Sequence, residues 1–121
     1  MRINNFKDLD IWKNSIDYVK EVYLITSKNF EREFSLKDQI RRSAVSIPSN
    51  IAEGFERNTR LEFKRFLLIA KESCGELRTQ LYISKELNLI DSNKFEALSK
   101  KLIRLSGQIG SLIRYLRNKK P

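Results

Sequence analysis

Apolar residues fall into four long stretches with helical spacing, separated by short polar segments. The first covers approximately residues 8–28 and carries two adjacent rows. Leu9, Trp12, Ile16, Val19 and Tyr23 form one, and Ile11, Ser15, Tyr18, Val22 and Ile25 the other. Both rows follow the alternating three–four spacing of a helical face. A face this wide exceeds what one neighbouring helix covers, a first hint of a partner beyond the chain itself. A second helix is expected from Ser35, where Ser35-Leu36-Lys37-Asp38 resembles a capping box, with Leu36, Ile40, Ser43, Ile47, Ile51 and Gly54 on one face. Pro48 has no N–H, and its ring crowds the carbonyl of Ala44, so a kink or short break is expected over residues 46–50. Gly54 reads as a terminator or a close-packing point.

The third helix opens at Thr59, where Thr59-Arg60-Leu61-Glu62 is a stronger capping box. Phe63, Phe66, Ala70, Ser73, Leu77, Gln80, Ser84 and Leu87 keep heptad spacing along it, flanked by Leu67, Cys74 and Leu81. Asn88 to Ser92 is a turn, and Asp91 or Ser92 can cap the fourth helix. In that helix Phe95, Leu98, Leu102, Leu105, Ile109, Leu112 and Leu116 make an uninterrupted seam. Beside it runs the row Ser99, Ile103, Ser106, Gly110 and Ile113, small enough in places to admit a second helix closely. Helices of ~20–28 residues run ~30–42 Å at ~1.5 Å per residue, and short connections make neighbours antiparallel. The expected fold is all-α: one antiparallel up-down-up-down four-helix bundle domain, its second helix kinked at Pro48.

Composition narrows the chemistry. The 121 residues include no histidine and one cysteine, Cys74, which leaves no intramolecular disulfide and no Cys/His zinc set. Histidine-based acid–base catalysis and Ser-His or Cys-His nucleophiles are excluded with it. Glu53, Glu56, Glu72 and Glu76 could be asked to form a carboxylate-only metal cluster. Glu53 with Arg57 reads instead as a favourable i,i+4 pair. Glu72 and Glu76 share that spacing with like charge, which Arg41, Arg42 or Arg78 could compensate from a neighbouring helix or subunit. Ser43, Ser46, Ser49 and Asn50 lack a general base, so they are expected to satisfy backbone groups freed by Pro48 and to bond across a tight helix contact. Cys74 reads as a small buried hydrophobe, and Gly107 and Gly110 as close-packing points, since no Walker or dinucleotide fingerprint occurs. No catalytic residue, metal, cofactor or small-molecule substrate is expected. The stretch from Met1 to Asp10 has no apolar signal-peptide core, and no run approaches the ~18 apolar residues of a membrane span. A cytoplasmic protein without membrane attachment is the expectation.

Charge is the distinguishing property. Lys and Arg total 24 against 15 Asp and Glu, a formal net charge of +9. After Glu96 no acidic residue occurs, while Lys100, Lys101, Arg104, Arg114, Arg117, Lys119 and Lys120 are basic. Lys100, Arg104 and Arg114 fall opposite the apolar seam, with Arg117 at its edge. A second concentration is Arg57, Arg60, Lys64, Arg65 and Lys71; Arg41-Arg42 forms a third. Sided positive charge is the footprint of phosphate-backbone binding, and no zinc finger, RNP aromatic signature or GXXG loop points to base-specific reading.

Phe6-Lys7-Asp8-Leu9 with Ile11-Trp12, the block Gln39-Ile40-Arg41-Arg42-Ser43-Ala44-Val45-Ser46-Ile47-Pro48-Ser49-Asn50-Ile51-Ala52-Glu53-Gly54, and Glu62-Phe63 through Glu76-Leu77 resemble the bacterial 23S rRNA intervening sequence proteins. The resemblance spans nearly the whole chain. It implies an antiparallel four-helix bundle assembled as a ring-like homopentamer, with no established enzymatic activity. A related group, the accessory variability proteins of diversity-generating retroelements, is similar in fold and basic character and binds nucleic acid and a reverse transcriptase. The leading expectation is therefore a non-enzymatic, self-associating bundle that binds RNA or DNA electrostatically. Its candidate contacts are Arg41, Arg42, Arg57, Arg60, Lys64, Arg65, Lys100, Lys101, Arg104, Arg114 and Arg117. The alternative is a scaffold for an acidic partner protein.

Overall fold

The computed structural model describes residues 3–118, so Lys119 and Lys120 lie outside the described residues. Leu9 is extended (φ −77°, ψ 127°) after a 3-10 turn at Phe6–Asp8, and this delays the first helix, α1, to Asp10–Ile25. At its far end the Thr26 hydroxyl donates to the Val22 carbonyl at 2.8 Å and closes the last turn. At 16 residues α1 is shorter than the patterning suggests. The other helices are α2, Phe34–Glu56; α3, Arg60–Glu86; and α4, Ser92–Asn118.

Local chemistry sets these boundaries. Thr59 caps α3, its Oγ1 accepting from the Glu62 N–H at 3.1 Å, and Asp91 Oδ1 accepts from the Lys94 N–H at 2.8 Å at the start of α4. The capping box expected at Ser35 does not form. Helix α2 begins one residue earlier, at Phe34, and its N-cap Glu33 makes no side-chain cap bond. The segment after each of the first three helices contains an asparagine in the left-handed region: Asn29 (φ 71°), Asn58 (φ 67°) and Asn88 (φ 61°). Asparagine tolerates this region better than other L-residues, so a chain with four glycines can turn three times without spending one there.

Residue numbers run in opposite senses across three of the helix contacts, α1 with α4, α2 with α3 and α3 with α4. Asn14 meets Gln108 while Glu21 meets Lys101; Ser46 meets Ser73 while Gly54 meets Phe66; Lys71 meets Ser106 while Tyr82 meets Phe95. One apolar cluster draws on all four helices, with Val22, Ile40, Ile51, Leu67, Leu77, Leu81, Leu102 and Ile109 among its buried members. The wide face of α1 is shared out within this bundle. Ile11, Ser15, Tyr18 and Val22 are buried, whereas Leu9, Trp12 and Val19 pack half-buried at the edge. In α3 both expected rows reach the core: Ala70, Ser73, Leu77 and Ser84 of the heptad row are buried along with the flanking Leu67, Cys74 and Leu81, whereas Phe63, Phe66 and Gln80 are half-buried and Leu87 is exposed.

Helix α2 continues unbroken through the buried Pro48, so no break occurs there. Of the nearby polar residues, Ser46 bonds Ser73 of α3 through their hydroxyls at 2.8 Å, and Asn50 Nδ2 donates to the Ser46 carbonyl at 2.8 Å. The cross-helix role is thus carried by Ser46. Gly54 is a close-packing point inside α2. Gly107 is not one, because a Cβ there would meet nothing within 4 Å.

Cys74 is fully buried between α3 and its neighbours, and burial pushes its thiol up from 9.0 to about 11, against the smaller opposing effect of Lys71 and Arg78. Between those values the folded chain holds the thiol proton more tightly than the unfolded chain does. Its contribution to stability is complete below pH 9.0 and is lost as pH rises towards about 11. Urea denaturation at pH 8 and 11 should show a loss on the order of 2 kcal/mol from this group. That loss should be missing from the pH dependence of Cys74→Ala, and equal slopes for both proteins would contradict the assignment.

Candidate nucleic-acid interface

Several of the candidate cations already have partners within the chain. Arg41 is half-buried against the end of α1: Nε donates to Thr26 Oγ1 at 2.9 Å, Nη2 to the Tyr23 carbonyl at 3.3 Å, and the guanidinium lies 4.3 Å from the Tyr23 ring centroid. Arg42 pairs with Asp38 at 2.9 Å and Arg57 with Glu53 at 3.1 Å, both at i,i+4. Arg65 reaches Glu62 at 3.8 Å, and Lys101 pairs with Glu21 at 2.8 Å across α1 and α4. Arg60 is half-buried and engaged within the chain. Such surface pairs contribute at most about 1 kcal/mol each, but they neutralise the cation locally.

The remaining candidates cluster on α3 and α4. Lys64, Lys100, Arg104 and Arg117 have no hydrogen-bond or ion-pair partner among the described residues. Among the described residues Arg114 donates only to the Ser111 hydroxyl, at 3.1 Å. The register of the α3/α4 contact sets the first turn of α3 level with the last turn of α4. Arg60 and Lys64 therefore share one end of the bundle with Arg114 and Arg117.

Sequence reasoning missed the most regular feature. Lys64, Lys71, Arg78 and Lys85 are spaced seven apart, so at ~100° per residue they form one row along α3. The row runs beside α4. Lys71 Nζ donates to Ser106 Oγ at 3.0 Å; Arg78 borders a groove with Phe95 and Ser99; Lys85 Nζ lies 4.9 Å from the Phe95 ring centroid. Glu62, Glu72 and Glu76 project ~100–180° away from it. The heptad spacing of these cations is present in the sequence, but the stronger apolar heptad beside it masks the signal.

Gly110 tightens this seam. A Cβ there would lie 3.3 Å from Lys71 Cε and 3.5 Å from Arg114 Nη1. The small residues of α4 do admit a close neighbour, but that neighbour is the Lys71 side chain. Two cations from different helices are thereby held over one glycine, with no acidic partner among the described residues. Among the described residues Arg41, Arg42 and Arg78 form no ion pair with Glu72 or Glu76, although Arg42 lines one groove with Glu76. Acidic or cysteine side chains are nowhere gathered in threes to hold a metal among the described residues, and no helix is long and apolar enough to cross a membrane.

Residues 7–111 match the family model of the 23S rRNA-intervening sequence proteins. A crystal structure of a protein of unknown function from the S23 ribosomal protein family of Bacteroides thetaiotaomicron has the same fold. It is 21% identical, with a TM-score of 0.80 over 86% of this chain and 95% of that one. The search of curated proteins returns no match. With the family pattern covering all but the ends of the sequence, the chain belongs to the 23S rRNA-intervening sequence protein family.

Proposed function

We propose that this protein is a non-enzymatic, cytoplasmic nucleic-acid-binding bundle that holds the phosphate backbone of RNA or DNA along the α3/α4 seam. The observation that carries the reading is the row Lys64, Lys71, Arg78 and Lys85, joined over Gly110 by Arg114; Arg104 lies further round α4, on the groove shared with α1. From Lys64 to Lys85 the row is ~32 Å long, close to one ~34 Å turn of a duplex. Lys85 pairs with Glu86 at 3.4 Å, but Lys64, Lys71, Arg78 and Arg114 have no carboxylate partner among the described residues; they repel one another, and a polyanion relieves that repulsion while releasing its own counterions.

Self-association belongs to the same reading. Ile69 and Ile83 are exposed on α3, with Leu87 just beyond its end, turned ~130–170° from the cationic row, so a second copy could cover them while the seam stays accessible. A ring of copies would repeat the cationic seam around an axis. Light scattering should give a mass several times the 14.3 kDa of one chain, and a constant monomer mass at all concentrations would remove this part of the proposal.

Filter binding to a structured RNA at ~50 and ~200 mM salt tests the central claim. Affinity should fall by orders of magnitude over that range. Absence of retention at the lower salt would overturn it. A pull-down that still recovers one stoichiometric acidic protein after nuclease treatment would replace it with a protein scaffold.

A further inference from the structure

The groove beside Arg78 has features that phosphate binding alone does not require. It encloses about 450 Å³ and is lined by Gly75, Arg78, Thr79, Tyr82, Phe95 and Ser99. Tyr82 is half exposed although aromatic, and its ring stands edge-on to Phe95 with centroids 6.0 Å apart. Lys85 Nζ sits 4.7 Å from the Tyr82 ring centroid and 4.9 Å from that of Phe95, fixing the pair from one side. Toward the middle of the seam the wall is low, because a Cβ on Gly75 would meet nothing within 4 Å. Arg78 stands one helical turn from Tyr82 with no hydrogen-bond or ion-pair partner among the described residues.

We infer that this groove receives an unpaired nucleobase, stacked on Tyr82 and flanked by the Arg78 guanidinium, while the cationic row holds the phosphates on either side. The inference rests on the nucleic-acid reading and sharpens it from any polyanion to single-stranded or looped nucleic acid. An aromatic face and an arginine plane set within a basic groove are the parts that single-strand binding uses, and they tolerate any base because every base has a π-face. In a regular duplex the bases are stacked on one another, so only phosphates and groove edges would reach the seam. Ser99 and Thr79 offer hydroxyls at the rim for the edge of the base.

The test is fluorescence anisotropy with the full chain and a labelled single strand of about 12 nucleotides, free or annealed to its complement. The single strand should bind at least about tenfold more tightly than the duplex. Tyr82→Leu should erase that preference, Tyr82→Phe should keep it, and neither should change the salt dependence, which reports phosphates. Equal affinity of the native protein for the two forms overturns the stacking groove and leaves the electrostatic reading intact. Binding of neither form overturns both. If Tyr82→Leu weakens duplex and single strand alike, the ring acts only by supporting the fold, and the inference fails on that ground.

Discussion

A variant carrying glutamine at Lys64, Lys71, Arg78 and Arg114 should bind structured RNA at least ~100-fold more weakly at ~100 mM salt, and its salt slope should flatten by about 3 to 4. Each of the four positions borders the α3/α4 seam, and none is paired with a carboxylate among the described residues. Removing them deletes phosphate contacts without breaking an ion pair. Stability should change little, since glutamine is a comparable helix former and relief of repulsion over Gly110 offsets loss of the Lys71–Ser106 hydrogen bond. Circular dichroism on the same samples checks that helix content is unchanged.

The contrasting variant replaces Arg41, Arg42 and Arg57, three of the residues that charge counting nominates. Arg42 and Arg57 are neutralised by Asp38 and Glu53 at i,i+4. Arg41 is spent on Thr26 and Tyr23. The salt slope should change by less than 1, while loss of Arg41 should cost about 1 kcal/mol of stability through its hydrogen bonds to the end of α1. Equal losses of affinity in the two variants would mean that net charge, rather than the seam, governs binding.

The two sets separate what the sequence makes legible from what it does not. Helix existence and type follow from apolar spacing, and all four stretches appear where the pattern puts them. The cap at Thr59 and the ion pair of Glu53 with Arg57 are likewise local, fixed by residues three or four apart. Arg41 could not be read correctly, because its role depends on Thr26, which lies 15 residues earlier and comes alongside only after the first turn has formed. Lys71 poses the same problem from the opposite side. Its value as a seam cation depends on Ser106 and Gly110, which only the packing of α4 brings near. Gly107 and Gly110 look equivalent as letters three apart, yet one faces open space and the other faces a lysine. The phase of a helix against its neighbour decides between them.

Gly54→Ala should destabilise the protein by about 1–3 kcal/mol even though alanine is the better helix former by about 1 kcal/mol. The position lies within α2, and a Cβ would stand 2.7 Å from Phe66 Cβ and 3.2 Å from the Phe63 carbonyl oxygen on α3. Neither atom can swing aside. One is the root of its side chain and the other is backbone, so α3 itself must move away from α2 near the turn that joins them. That turn, with Asn58 in the left-handed region and Thr59 capping α3, sets where the cationic row begins. Gly75→Ala and Gly107→Ala are the controls, since a Cβ at either meets nothing within 4 Å. Each should raise stability by up to about 1 kcal/mol, because glycine is the less favourable residue in a helix interior. Urea midpoints at constant m-value measure all three. A Gly54→Ala protein as stable as the controls would mean that α2 and α3 can separate there at no cost. The seam would then rest on α3 and α4 alone.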